Sequence, residues 1–204
     1  MITFQKSLFL INKQIENVLE HIDKNPHQIA ETVGALLEAK HIHTTGLGKS
    51  AHIAQKCADT LTSVSISSSF IDPVLAFHGD LGRLQKDSAL LVFSKSGNTA
   101  ELCDFTKELI RRGNTLIILI NCAQNLESEL SKFSHLEINL PIETEGNSLN
   151  HVPMASCVVM EMVIDAIISE LIERKGITVE QYARNHPGGN IALLLKENDL
   201  LGVP

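Results

Sequence analysis

The 204-residue chain carries 17 Lys and Arg against 24 Asp and Glu, a net charge of −7 with no extended basic block, which leaves no electrostatic footprint for nucleic acid. With 44% hydrophobic and 20% charged residues, the chain can bury a sizeable core and is not a disordered tail. No Trp, one Tyr and seven Phe leave few rings for stacking on bases or sugar faces.

The opening segment has only a short apolar run before Asn12, too short for a signal peptide. No stretch approaches the ~18 apolar residues of a membrane span. A cytoplasmic protein with no membrane partner is expected. Cys57, Cys103, Cys122 and Cys157 lack CxxC or other metal-ligand spacing and read as reduced core thiols.

From Phe4 to Lys40 the apolar residues fall at helical spacing, and Pro26 divides the segment into two helices. Short apolar runs then follow at 41–46, 65–71, 88–94, 115–121 and 135–141. Helices are predicted between them at Lys49–Ser63, Asn98–Arg111 and, briefly, near Leu126–Phe133. A long apolar helix from about Pro153 to Arg174 ends at Gly176 as its C-cap, and Thr178 caps a short helix beyond it. Strands alternating with helices imply an α/β fold: a parallel sheet with helices on both faces, in three layers. Such sheets bind ligands beyond the carboxyl ends of their strands.

Two motifs lie there. Gly46-Leu47-Gly48-Lys49-Ser50 follows the first strand; its glycines let backbone N–H groups approach an anion at a helix N-terminus, and Lys49 adds a positive charge. The spacing is neither a Walker A loop nor GxGxxG, and alone it is equally a tight turn with a solvated lysine. Ser94-Lys95-Ser96-Gly97-Asn98-Thr99-Ala100-Glu101 follows the third strand. Hydroxyls at Ser94, Ser96 and Thr99 around Gly97 form a phosphate cradle that needs no metal; a simple N-cap would explain one of them.

With AFHGDLG at 76–82 and NHPGG at 185–189, these motifs resemble, in order, those of the sugar isomerase (SIS) domain, and within it the D-arabinose-5-phosphate isomerases. The likeness covers roughly residues 40–195. It implies a flavodoxin-like SIS fold of five parallel strands, preceded by helices over 1–39, as a single domain over 1–204 without the paired CBS modules that longer members append. It implies catalytic roles for Lys49, His78, Glu101, Glu145 and His186. Phosphate would be held by Ser94, Ser96 and Thr99 with Ser50 assisting, on turns made by Gly46, Gly48 and Gly97. Glu145 is aligned by its distance to Pro153, and Glu143 competes with it. One departure stands out: Pro153-Met154-Ala155-Ser156-Cys157 places Met and Ala where the isomerases carry hydroxyls.

The resemblance implies interconversion of D-arabinose 5-phosphate and D-ribulose 5-phosphate through a cis-enediol, with a small-molecule sugar phosphate as the partner. Such chemistry needs a base and donors for the developing oxyanion, and no metal or redox cofactor is expected. A buried glutamate with a raised pKa could serve as base, Glu101 or Glu145, and His186 or His78 as proton shuttle. Another phosphosugar substrate and a non-catalytic sensor remain as alternatives. His41, His43, His52, His135 and His151 carry no motif and read as structural or solvated. The helix after Pro153 is apolar around more than one face, which suggests burial between sheet and partner subunit. By resemblance the chain is expected to form a dimer or homotetramer with sites at subunit interfaces, His186 entering a neighbour's pocket.

Overall fold

The computed structural model describes residues 3–113, 115–124, 127–189 and 192–193. Two helices, α1 (Phe4–Lys24) and α2 (Pro26–Glu38), precede an alternation of β1 (His41–Gly46), α3 (Lys49–Ser63), β2 (Ser68–Phe70), β3 (Ser88–Ser94), α4 (Ala100–Arg112), β4 (Thr115–Asn121) and β5 (Leu136–Asn139). α5 (Ala155–Lys175) and α6 (Val179–Arg184) follow. Every pairing is parallel, in the order β2-β1-β3-β4-β5, so the expected five-stranded, flavodoxin-like sheet is present. The strand order reverses between β1 and β3, where a crevice opens for a ligand.

β3 is buried along its whole length and β4 nearly so, as expected of central parallel strands covered on both faces. Ala89, Leu91, Phe93, Ile118 and Ile120 face a core shared with α2, α3 and α5, whereas Leu90, Val92, Ile117 and Leu119 face Leu102, Phe105 and Leu109 of α4. The two layers are unequal. On the second face α4 covers β3 and β4, and the β1 side is closed by residues of the 71–84 segment, Ile71, Ala76, Leu81 and Leu84.

β1, β3, β4 and α3 have the predicted bounds. β2 is shorter than 65–71, because Ser65 turns with φ 64. Only Leu130–Phe133, a single 3-10 turn, is helical in the region predicted near Leu126–Phe133, and Leu126 lies outside the described residues. The expected capping by Gly176 and Thr178 is present, the latter as a reciprocal capping box with Gln181. The residues from 194 onward, part of the expected 1–204 domain, lie outside the described ones. α5 corrects one inference: its apolar residues pack on β-strand side chains and on α1, α2 and α3 of the same chain, so its composition is no argument for a partner. All four cysteines are free, and burial pushes the Cys57 thiol up to about 12.

Candidate functional site

At the switch point β1 runs into α3 through Gly46-Leu47-Gly48. A Cβ on Gly46 would lie 3.0 Å from the carbonyl carbon and oxygen of Ser50, so strand end and first helical turn approach as closely as glycine permits. β3 runs into α4 through Lys95–Thr99. Here Gly97 has φ 66, and a Cβ would fall 2.3 Å from Ser128 Oγ, inside a turn that Leu130 closes by donating its N–H to the Gly97 carbonyl at 2.9 Å. Ser94 Oγ accepts from the Gly97 N–H (3.1 Å) and Ser96 Oγ from the Asn98 N–H (3.2 Å), while Asn98 Oδ1 accepts from the Glu129 N–H at 2.8 Å. α4 therefore starts at Ala100, two residues later than predicted, because the Asn98 side chain is committed to the Glu129 loop.

Both helices begin without a side-chain cap: Gly48 precedes α3, and Thr99 precedes α4 without its hydroxyl bonding the first turn. Their free N–H groups and positive dipole ends meet at a pocket of about 250 Å³ lined by Gly48, Lys49, Ser50, Ser94, Lys95, Ser96 and Thr99, with Leu47, Phe93, Leu102 and Pro153 supplying its apolar wall. Two helix N-termini, two ammonium groups and four hydroxyls suit an anion.

Glu145, not Glu143, approaches this pocket. Glu143 is exposed, whereas the Glu145 side chain is 1% exposed and lies 2.7 Å from Lys95 Nζ. Its Oε1 also accepts from Ser156 Oγ (2.7 Å), and its Oε2 from the N–H groups of Met154 (2.8 Å) and Ser156 (3.0 Å). Burial alone would raise this carboxyl, but the Lys95 ammonium, the two N–H groups and the Ser156 hydroxyl outweigh it and hold the group below its ordinary value. The expectation of a raised pKa is thus reversed for Glu145: it is a saturated anion that fixes Lys95 beside the cradle and ties α5 to it. The sequence motifs assign no role to Lys95 or Ser156. The usable signal is the position of Lys95 between two cradle hydroxyls at a strand end.

The other expected residues are not gathered. Glu101 is exposed in the first turn of α4, two residues beyond Thr99. His78 is exposed at the end of a 3-10 turn, Leu75–His78. His186 stacks on Tyr182 with centroids 4.1 Å apart, its Nδ1 2.9 Å from the Tyr182 carbonyl. The adjoining Asn185 donates to the Ser63 carbonyl and to Ser65 Oγ, at the far end of α3 from Lys49. A 15-residue helix is about 20 Å long, so His186 does not reach the pocket of its own chain.

Among the described residues no cluster of His, Cys, Asp and Glu has the makings of a metal site, and no helix is long and apolar enough to cross a membrane.

Sheet order and paired helix N-termini define an α/β domain with a crevice suited to an anionic ligand. The model of the SIS domain family matches residues 35–170, and the chain belongs to that family. It is 34% identical over 202 residues to arabinose 5-phosphate isomerase KdsD of Pseudomonas aeruginosa, covering 98% of this chain and 60% of that protein. It is 30% identical over 191 residues to arabinose 5-phosphate isomerase KpsF of Escherichia coli, covering 92% and 59%. The chain thus spans about 60% of the length of these relatives. Among solved structures it resembles a protein of E. coli CFT073 in complex with arabinose 5-phosphate, with TM-score 0.82, 30% identity, and 90% of this chain and 95% of that one covered. It also resembles a putative phosphosugar isomerase involved in capsule formation from Bacteroides fragilis, with TM-score 0.73, 29% identity, and coverage of 86% and 98%.

Proposed function

We propose that the chain is an aldose–ketose isomerase of phosphorylated sugars, acting on D-arabinose 5-phosphate and D-ribulose 5-phosphate. The observation that carries this reading is the pocket in which the uncapped starts of α3 and α4 meet Lys49 and Lys95. A phosphate monoester satisfies those donors, and the hydroxyls of Ser50, Ser94, Ser96 and Thr99 complete the cradle. The relatives named above for arabinose 5-phosphate, and the solved relative holding that sugar phosphate, support the choice of sugar.

With phosphate anchored, the sugar chain extends from the cradle and the reacting carbons lie away from it. A base must remove the C2 proton and return it to C1 through a cis-enediol. Each oxygen of Glu145 already accepts two hydrogen bonds, so a donor would have to leave before it could take a proton, and its part is to hold Lys95. Glu101, exposed and without such partners, is the better base. Whichever of Lys49 and Lys95 is not taken up by the phosphate stabilises the developing enediolate. His78 opens the ring or shuttles protons between the oxygens. His186, remote from its own pocket, would serve that of a neighbouring subunit in a dimer or tetramer. The Met154 side chain, 39% exposed beside Pro153, favours a second reading: the same chemistry on another phosphosugar.

The test is a metal-free assay with arabinose 5-phosphate and a panel of pentose and hexose phosphates. Formation of ribulose 5-phosphate at an enzymatic rate, above that on the rest of the panel, is expected. Faster turnover of another sugar would select the second reading. Binding of the panel without turnover of any member would make the chain a sensor and overturn the proposal.

A further inference from the structure

Outside the pocket, nearer the start of β1, two histidines stand side by side. His41 and His43 project from the same face of β1, with ring centroids 4.3 Å apart. His41 Nδ1 lies 2.8 Å from Ser67 Oγ and its Nε2 2.9 Å from Ser69 Oγ; His43 Nδ1 lies 3.1 Å from Ser69 Oγ and its Nε2 3.1 Å from the Arg83 carbonyl. A carbonyl only accepts, so His43 Nε2 carries the proton and Nδ1 is bare. Ser69 must then donate to His43 Nδ1 and accept from His41 Nε2–H, and Ser67 donates to His41 Nδ1. Every proton of the relay has one place, provided both rings are neutral.

The relay ends on the segment that covers this face of β1. Residues 72–83 comprise two 3-10 turns, Leu75–His78 and Asp80–Arg83, and carry His78. The apolar contacts of Ala76 and Leu81 are with β3, β4 and α4, and Phe77 meets Phe105 of α4 edge-on; the segment's hydrogen bond to β1 is the one His43 donates to the Arg83 carbonyl. We propose that His43 is a positioning residue: neutral, and with His41 and Ser69, it holds the 72–83 segment over β1, and its protonation at Nδ1, which leaves the Nε2–H bond to Arg83 in place but takes away the acceptor of the Ser69 hydroxyl, favours opening of that segment so that water reaches the charged ring.

No counter-charge stabilises a protonated His43. β2 and β3 present Ser69 and Leu90 at its level, and α3 packs on the opposite face of β1, where Thr44 Oγ1 donates to the Ala54 carbonyl. The charged or titratable groups facing it are His41 and the Arg83 guanidinium. Arg83 meets Asp80 at 4.0 Å, and Lys40 is paired with Asp87 at the start of β1. Burial first, then His41 and Arg83, hold His43 down to about 4, against a partial lift from its bond to the Arg83 carbonyl. A histidine freed to solvent regains about 6.5. Opening therefore takes up a proton, and the latch weakens as pH falls below about 6.5.

Amide hydrogen exchange tests this without substrate, so its outcome is independent of the isomerase reading; only the consequence for turnover, through His78, rests on it. The probes are the N–H groups of Ala76, Gly79 and Gly82, bonded within the segment to Asp72, Ala76 and Gly79, with β3 amides as internal reference. Their protection relative to β3 should fall by up to about 100-fold between pH 7 and pH 4.5. In His43→Leu it should already be low at pH 7 and no longer change with pH. Should that variant not fold, Ser69→Ala leaves both rings in place and should lower protection about 10-fold at pH 7. Protection that does not change with pH in the unaltered chain, or that keeps its acid loss in His43→Leu, or that is unchanged in Ser69→Ala, would overturn the latch.

Discussion

Glu145 and His43 are both nearly inaccessible, at 1% and 3% exposure, yet they end in opposite charge states. At Glu145 four donors, one of them an ammonium, converge on two oxygens, and the carboxylate keeps its charge against burial. At His43 the partners are a hydroxyl and a carbonyl, and the nearest charge is a guanidinium, so burial prevails and the ring stays neutral. Burial fixes the cost of a charge; the partners decide whether it is met. The charged carboxyl end of the strands is accordingly where an anion can be handled, and the neutral start of β1 is where a proton would cause a change.

The largest expected effect contrasts the two carboxylates near the pocket. Glu101→Gln should lower turnover about 10²- to 10⁴-fold while retaining sugar-phosphate binding, measured by steady-state kinetics and calorimetry. Undiminished turnover would remove Glu101 from the chemistry and return the base to Glu145.

Next, Lys95→Met strips Glu145 of its counter-ion. It should destabilise the fold by about 3 kcal/mol, read from urea midpoints, because the buried charge is left with neutral donors alone. The sign of the pH dependence follows. With a depressed pKa, the stabilisation from Glu145 is present above the ordinary value of 4.5 and lost as pH falls through the folded value. In Lys95→Met the folded carboxyl should rise, so the variant should gain stability, relative to the unaltered chain, as pH is lowered from 7 to 5. Parallel pH curves would mean that the ion pair does not hold Glu145 charged.

Smaller still, Ser96→Ala removes one hydroxyl of the cradle and should weaken phosphate-ester binding about 10-fold with kcat nearly unchanged. Lower kcat at unchanged affinity would contradict the cradle assignment. Ser156→Ala removes one of the four donors to Glu145 and should cost about 1 kcal/mol of stability. A loss as large as that of Lys95→Met would show that the hydroxyl, not the ammonium, governs Glu145.

The strands buried on both faces were legible in the sequence, since runs such as SALLVFS and TLIILIN can satisfy a parallel sheet only at its centre. The edges were not: β2 is cut short by the Ser65 turn, and before β5 the described residues form only the 3-10 turn Leu130–Phe133. The cradle was legible because its residues are adjacent in the chain. Lys95 lies 50 positions from Glu145 and 61 from Ser156, so neither the pair nor the reversal of the expected pKa shift had a local signature. The histidine relay was hidden for the same reason, as it exists only once β1 pairs with β2. His186 sits in a recognisable motif, yet its place beyond the far end of α3 depends on how α6 packs.

The most direct measurement of the central claim is conversion of arabinose 5-phosphate in D₂O, followed by NMR. The account predicts ribulose 5-phosphate carrying solvent deuterium at C1, because a carboxylate that takes the C2 proton to form an enediol exchanges it with water before returning it. Tight binding of the sugar phosphate with no conversion, or conversion that moves the C2 hydrogen without any exchange, would contradict it.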